Sequence, residues 1–518
     1  MFGILFPPSG ARSETITLFH FNDFHSQMEP RESLHGERRG GAAHLAGAIA
    51  IARDQAGPSL LLFDGDLFQG TPYYNFFHGE PEIRLLNLMG VDAMTLGNHE
   101  FDSGAASLAN ALTEARFPVL SANVVLADSV AGAPFQEPAP DFTASAAFEA
   151  WSGATDAGLP AGFHRPAAPW AVYRVGGITV GVVGATTEAL RRVVLASVNP
   201  GLRALPVAST IHPFVKALRP RVDLLVLLSH CGIAADSVTA QAVPGIDVIV
   251  AGHDHEILTE PILVRNGNRN GIGGTLIVEA GSRGRLLGRL DLTIENGSLR
   301  GYRGRVLPVG PAVPPDPRVL DLVESYRGRL SGELDEVVTV APQGLSAVGR
   351  RTGDTPLGNL VAEVMRRAGN ADIGIENSGG IRASIPPGEV TLGQIYMILP
   401  FENEIVTCRL TGAQIEALAN DIAGGKSAQV AGLRFAVVDG HAEGIQVGGR
   451  PLLPEATYRV AVNDFMYYGG DDFDRLAEDS EAVFTGVRLR DAVLDSLRRT
   501  PRLLPDTTPR ILRPVRSR

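Results

Sequence analysis

Five short apolar runs in this chain end in side chains that bind metal ions. Asn22, Asp23 and His25 follow ITLFHF, Asp64 and Asp66 follow SLLLF, and Asn98 and His99 follow DAMTLG; His230 follows DLLVLLS, and His253 and His255 follow DVIVAG. Carboxylate, imidazole and one amide oxygen, without thiolate, suit hard or borderline divalent ions such as manganese, zinc, cobalt or iron, and the donor types do not choose among them. A single histidine after a strand is an ordinary structural residue; the repetition at five strand ends is the signal. A pair of ions ~3.5–4 Å apart needs one bridging carboxylate and an unshared set for each ion. Asp66 is the expected bridge.

A sheet must bring these groups together. From residue 14 to about 305, apolar runs, ITVGVVGA and TLIVEA among them, alternate with helix-like stretches. Continuous apolar runs suit strands buried on both faces, so this region reads as a layered α/β domain with helices over a sheet. Ligands in such sheets lie beyond the carboxyl ends of the strands, which converges groups scattered in sequence on one edge. Between about 126 and 170 the text turns to Ala, Pro, Gly and Ser and reads as a long surface insertion with one short helix. The Pro-rich VGPAVPPDP then breaks the pattern, and PRVLDLVESYRGRLSGEL has apolar residues at helical spacing, which predicts a connecting helix within a linker of 306–335. A second unit over 336–514 contains GNLVAEVMRRA as an amphipathic helix and ADIGIEN as a strand.

The bulk composition narrows the classes. A chain of 518 residues exceeds what one core organises, so two domains are expected. Its formal charge of −11 excludes a general nucleic-acid binder, because backbone-phosphate affinity needs a basic surface. Lys216 and Lys426 are the only lysines, so arginine carries nearly all positive charge and no arginine gains a role from its type alone. Cys231 and Cys408 have no CxxC spacing. No apolar run reaches the ~18–20 residues of a membrane span, and the start MFGILFPPSGARS lacks a basic n-region and a full h-region, so no signal peptide is expected. Oligomeric state is not legible here.

Through FNDFHSQMEP, FDGDLFQG, LGNHEFD, LLSHCG and AGHDH, in that order, the sequence resembles the 5'-nucleotidase family. The resemblance implies an N-terminal four-layer α/β/β/α metallophosphoesterase domain, a linker helix and a C-terminal α/β substrate-binding domain. It implies Asp23, His25, Asp66 and His255 on one metal and Asp66, Asn98, His230 and His253 on the other, with Asn22, Asp64 and Glu100 as neighbours. It also implies a catalytic dyad of His99 and Asp102, in which an imidazole stabilises charge on the phosphoryl group and a carboxylate fixes its tautomer. The lesser alternative for Asp102 is a cap on the following helix, and both roles can coexist. Family members are mostly exported, which points to the periplasm or exterior; the text itself leaves the cytoplasm open.

The likeness continues through RRTGDTPLGNL, ENSGGIRASIP, LPFENE and VNDFMYYGGDDF. It implies that Phe401 and Phe465 sandwich a nucleobase, that Arg351 and Arg382 serve the phosphate side, and that Asn377, Gly379, Gly380 and Asp471 line the nucleoside site. Stacking is worth ~1–3 kcal/mol and tolerates different bases. Without the resemblance either Phe reads as core and either Arg as solvated surface. Two departures stand out: His44 occupies a place where arginine is common, and the 126–170 insertion is long. The expected reaction is in-line attack of an activated water on a nucleoside 5'-monophosphate, extending to UDP-sugars, with His99 assisting and no phospho-enzyme. The resemblance further implies that the linker helix lets the second domain swing. Rival readings are a 2',3'-cyclic nucleotide phosphodiesterase with 3'-nucleotidase activity on the same scaffold, and a binding protein that has lost catalysis.

Overall fold

The computed structural model describes residues 13–32, 38–129, 147–149, 159–268, 270–479 and 481–513. Most of the expected 126–170 insertion, with its short helix, lies outside these; its described part includes the edge strand Ala147–Glu149 and the strand Phe163–His164. The chain divides into two compact units. The first comprises Met1–Phe68, Phe77–Leu190 and Asn199–Ser325; the second comprises Tyr326–Arg518 with the short segments Gln69–Phe76 and Arg191–Val198.

Unit 1 is built on two sheets. Six strands run in the order Ser298–Pro308, Leu286–Glu295, Ser13–Phe21, Ser59–Asp64, Ala93–Thr95 and Val119–Leu120, the last four parallel to one another. Seven run in the order Ile262–Arg265, Gly274–Val278, Val248–Ala251, Leu224–His230, Ile178–Thr186, Trp170–Val175 and Ala147–Glu149, with a parallel centre. The period-2 alternation of a strand explains why the apolar runs are continuous. Leu224, Val226 and Leu228 join Leu18, Leu60 and Leu62 in a core between the sheets. Leu225 and Leu227 point the other way, onto Ile211, Val215 and Leu218 of the helix Val207–Leu218. On the outer side of the first sheet, the helix Ala42–Asp54 packs against the strand Leu286–Glu295 and the helix Glu80–Met89. The layers are therefore helix, sheet, sheet and helix.

The helix predicted over the linker is Pro317–Leu334, and the division between the units falls inside it. Unit 2 carries a five-stranded sheet in the order Ala428–Ala431, Ile373–Asn377, Thr457–Asn463, Glu404–Thr411 and Val483–Arg488. The helix Pro356–Ala368 places Leu357, Val361 and Met365 in one core with Val493 and Leu497 of the helix Leu489–Arg498. The helix Gly412–Ala423 sends Ile415, Leu418 and Ile422 into another. Thr411 and Gln414 start that helix with a reciprocal capping box.

Candidate functional site

The carboxyl ends of the parallel strands in unit 1 deliver the charged groups. Ser13–Phe21 is followed by Asn22, Asp23 and His25; Ser59–Asp64 by Asp66; Ala93–Thr95 by Asn98 and His99; Val248–Ala251 by His253 and His255; and Leu224–His230 ends on His230 itself. The turns that aim these groups are unusual. Asp23, His25, Asp66, His253 and His255 all have positive φ, between 49° and 84°. Left-handed backbone is uncommon outside glycine and concentrates at functional sites.

Three overlapping groups of ligand atoms result: Asp23 with His25 and His255, Asp66 with His230 and His253, and His25 with Asp66 and His99, each set within 4.8 Å. The Nε2 atoms of His25 and His255 face each other at 3.0 Å. Asp23 Oδ1 is 3.2 Å from His255 Nε2, and Asp66 Oδ2 is 3.3 Å from His230 Nε2. Asp66 stands in two of the three groups, and so does His25. Asp23 Oδ1, Asn98 Oδ1 and His230 Nε2 are buried without a hydrogen-bond partner. Buried polar atoms are normally satisfied, so three orphaned donor atoms of the right chemistry in one cluster fit a divalent cation.

Electrostatics point the same way. Burial alone would raise the Asp66 carboxyl, but His230, His99 and His25 outweigh it and hold Asp66 well below the usual carboxylate range. Burial likewise raises Asp23, and His255 and His230 reverse the shift. His230 shows the mirror image, its desolvation overcome by Asp66, Asp23 and Asp64, so that it is held well above its ordinary value. The carboxylates are held ionised and ready to ligate.

The neighbours have their own work. Asn22 Nδ2 donates to Asp23 Oδ2 at 2.6 Å, and the His253 N–H donates to the same oxygen at 3.1 Å. Glu100 accepts from the N–H groups of Asp66 (2.9 Å), Leu67 (2.7 Å) and Gly97 (2.6 Å). It joins the turn after Ser59–Asp64 to the turn after Ala93–Thr95. Gly97 is obligatory, since a Cβ there would lie 2.3 Å from Asp66 Oδ1. His44 Nδ1 lies 2.7 Å from the Val313 carbonyl oxygen, which gives it a structural partner.

His99 faces both ways. Its Nδ1 lies 2.7 Å from Asp102 Oδ2, and its Nε2 lies 3.9 Å from Asp66 Oδ2. Asp102 therefore bonds to the imidazole; the following helix, Ala105–Leu112, starts on Gly104 without a side-chain cap. One feature escaped the sequence reading. Ser26, beside His25, donates at 2.5 Å to Glu82, a fully buried carboxyl that burial raises to about 7.

In unit 2, Asn377 ends the strand Ile373–Asn377 and its Nδ2 donates to Asp471 Oδ2 at 2.7 Å. Gly379 and Gly380 form the turn Ser378–Gly380, and the Arg382 guanidinium lies 5.9 Å from the centre of the Phe401 ring. Arg351 is exposed. Phe465, half-buried, packs on the core that contains Met466 and Phe473, and its ring lies over Gly470, where a Cβ would approach it to 2.5 Å. Arg382 Nη1 also donates to the Gly379 carbonyl oxygen at 3.5 Å, and Arg351 and Arg382 both act on the charge of Asp471. The structure therefore collects Asn377, Gly379, Asp471 and Arg382 in one place with Phe401 beside Arg382, and ties Phe465 partly to the core.

Comparison with known proteins follows this division. A family model described as calcineurin-like phosphoesterase matches residues 16–144, and one described as 5'-nucleotidase, C-terminal domain, matches residues 332–478. The chain is 30% identical over 515 residues to the trifunctional nucleotide phosphoesterase protein YfkN of Bacillus subtilis, covering 91% of this chain but only 33% of that protein's length. It is 26% identical to the 5'-nucleotidase of Vibrio cholerae, covering 91% of this chain and 88% of that one. The crystal structure of the 5'-nucleotidase precursor from Thermus thermophilus superimposes with a TM-score of 0.82 at 32% identity, over 97% of this chain and all of that one. The strand-end cluster and the two matched domains agree: this chain belongs to the 5'-nucleotidase family and is a metal-dependent phosphoesterase.

Proposed function

We propose that the protein hydrolyses nucleoside 5'-monophosphates to nucleoside and phosphate at a two-metal site shared through Asp66. The observation that carries this is the pairing of two ligand groups on one carboxylate, with Asp23 Oδ1, Asn98 Oδ1 and His230 Nε2 left as buried donors without partners. Asp23, His25, Asp66 and His255 form one ligand set and Asp66, Asn98, His230 and His253 the other. When bound, divalent ions (manganese, zinc, cobalt or iron) supply Lewis acidity that neutralises phosphoryl charge and acidifies water for attack.

The chain's own groups do the rest. Asp102 accepts a hydrogen bond from His99 Nδ1–H and stabilises the protonated ring, whose Nε2 faces the cluster and donates to a phosphoryl oxygen or the leaving group. In unit 2, Phe401 and Phe465 stack on the base, Asp471 and Asn377 accept and donate at the ribose, Gly379 and Gly380 allow close backbone approach, and Arg351 and Arg382 complement the phosphate. This assigns residues 14–305 to catalysis, 306–335 to the linker and 336–514 to nucleoside recognition.

The names of the 5'-nucleotidase relatives support the substrate class. The name trifunctional nucleotide phosphoesterase, carried by a Bacillus relative of which this chain spans a third, supports cleavage of more than one nucleotide ester; the second reading is cleavage of 2',3'-cyclic nucleotides and 3'-nucleotides on the same scaffold. A hydrolysis screen with added Mn²⁺ across AMP, 3'-AMP, 2',3'-cyclic AMP, UDP-glucose and bis(p-nitrophenyl) phosphate, following phosphate from the monoesters, nucleotide products by chromatography from the cyclic nucleotide and UDP-glucose, and p-nitrophenol from the diester, separates them. AMP is expected to give the highest kcat/KM. A clear preference for the cyclic nucleotide would transfer the conclusion to the second reading, and no hydrolysis of any substrate would leave a binding protein.

A further inference from the structure

We propose that Arg490 is a positioning residue for Phe401 and thereby sets the affinity of the site for nucleosides; this rests on the reading of Phe401 as a base-stacking ring. Arg490 is the second residue of the helix Leu489–Arg498 and only 2% exposed, the largest of the fully buried side chains. Burying a guanidinium is unfavourable unless its surroundings compensate, and an apolar residue of similar volume generally serves stability as well or better. What compensates here is confined to one short loop and the helix before it. The guanidinium lies 4.0 Å from the centre of the Tyr396 ring, on the helix Leu392–Ile398. Its Nη1 donates to the carbonyl oxygens of Leu399 (3.2 Å) and Pro400 (3.3 Å), and its Nη2 donates to the carboxylate of Glu402.

Those contacts bracket residue 401 on both sides. Neighbouring backbone bonds extend the bracket: the Arg382 N–H donates to Ile398 O at 2.8 Å, and the Leu489 N–H donates to Asn403 O at 2.9 Å. Phe401 is thereby carried at the centre of a loop whose other members, Leu399, Pro400, Glu402 and Asn403, are each anchored, as is Ile398 at the end of the preceding helix. The first of these backbone bonds also fixes the loop to Arg382, whose guanidinium lies over the Phe401 ring. A ring on a five-residue connection would otherwise lose conformational freedom each time a base stacked on it; fixing it beforehand removes that cost from binding. Only a planar fork with several donors reaches two carbonyls and a carboxylate while stacking on a ring, which a lysine ammonium does not do.

Steady-state kinetics with AMP on the full chain with Mn²⁺, for Arg490→Lys, Glu402→Ala, Phe401→Ala and the double variant Arg490→Lys with Phe401→Ala, tests this. Glu402→Ala is the control against misfolding, because that side chain is 47% exposed. Arg490→Lys and Glu402→Ala are each expected to raise KM for AMP ~3–10-fold with kcat within about twofold, and Arg490→Lys should add nothing once Phe401 is alanine. Multiplicative effects in the double variant, or a fall in kcat that tracks a lower melting temperature, would overturn the positioning role. A Phe401→Ala variant with unchanged KM would instead remove the stacking reading beneath it, an outcome distinct from the other two.

Discussion

At the residue scale, the proposed function separates the groups assigned to hold metal from one assigned to act beside it. His99 shares a ligand-sized cluster with His25 and Asp66, yet its Nδ1 is committed to Asp102. His99→Asn is therefore expected to lower kcat by ~10²–10⁴ while metal content stays near that of the native protein. Loss of metal in step with activity would make His99 a ligand. Phe401→Ala and Phe465→Ala should each raise KM for AMP about tenfold with little effect on p-nitrophenyl phosphate, whose small ring need not fill a base site. Because Phe465 also packs on the core around Met466, its variant should also lose up to ~3–5 kcal/mol of stability and so melt lower. Equal losses on both substrates would make the rings structural. Asp23, His25 and Asp66 stood out in the sequence because such side chains recur at five strand ends, not because of any one of them. Arg490 was not: in a chain with two lysines, one arginine among dozens carries no signal until the fold buries it.

At the scale of elements, the site depends on turns more than on strands. The apolar runs announced the strands because both of their faces are buried, as Leu224 to Leu228 show by alternating between the two cores of unit 1. The left-handed turns at Asp23, Asp66 and His253 were not legible, since aspartate and histidine do not advertise positive φ as glycine does. Glu100 is the residue that ties the left-handed turn at Asp66 to the turn at Gly97, before Asn98. Glu100→Ala would leave the N–H groups of Asp66, Leu67 and Gly97 without their acceptor, and each buried unpaired donor costs ~1–3 kcal/mol. The expected result is lower stability together with weaker metal retention, in contrast to His99→Asn. Metal content and melting temperature measured on both variants check this, and full retention of metal by Glu100→Ala would contradict it.

At the scale of the whole molecule, buried carboxyls make stability depend on pH. In unit 2, burial raises Glu376 from an ordinary 4.5 to about 8, against the opposing bond from Asn463. The folded chain thus keeps a proton that the unfolded chain has released between these two values, so stability falls as pH rises from about 4.5 to about 8. Glu376→Gln, which cannot ionise, should gain on the order of 1–3 kcal/mol over the native chain at pH 9 and lose that advantage at pH 4; urea unfolding at the two pH values measures it, and a constant difference would reject the assignment. The division into two α/β units and the linking helix were legible from the Pro-rich break at 309–317 and the helical spacing after it. The sheet order was not, because the antiparallel pairing of Ser13–Phe21 with Leu286–Glu295 joins segments from opposite ends of unit 1. What remains central is the shared metal site. Metal-stripped protein titrated with Mn²⁺ while phosphate release from AMP is recorded tests it most directly: activity should be absent at the start and reach its plateau at about two ions per chain. Full activity in the stripped protein, or a plateau at a single ion, would contradict the account.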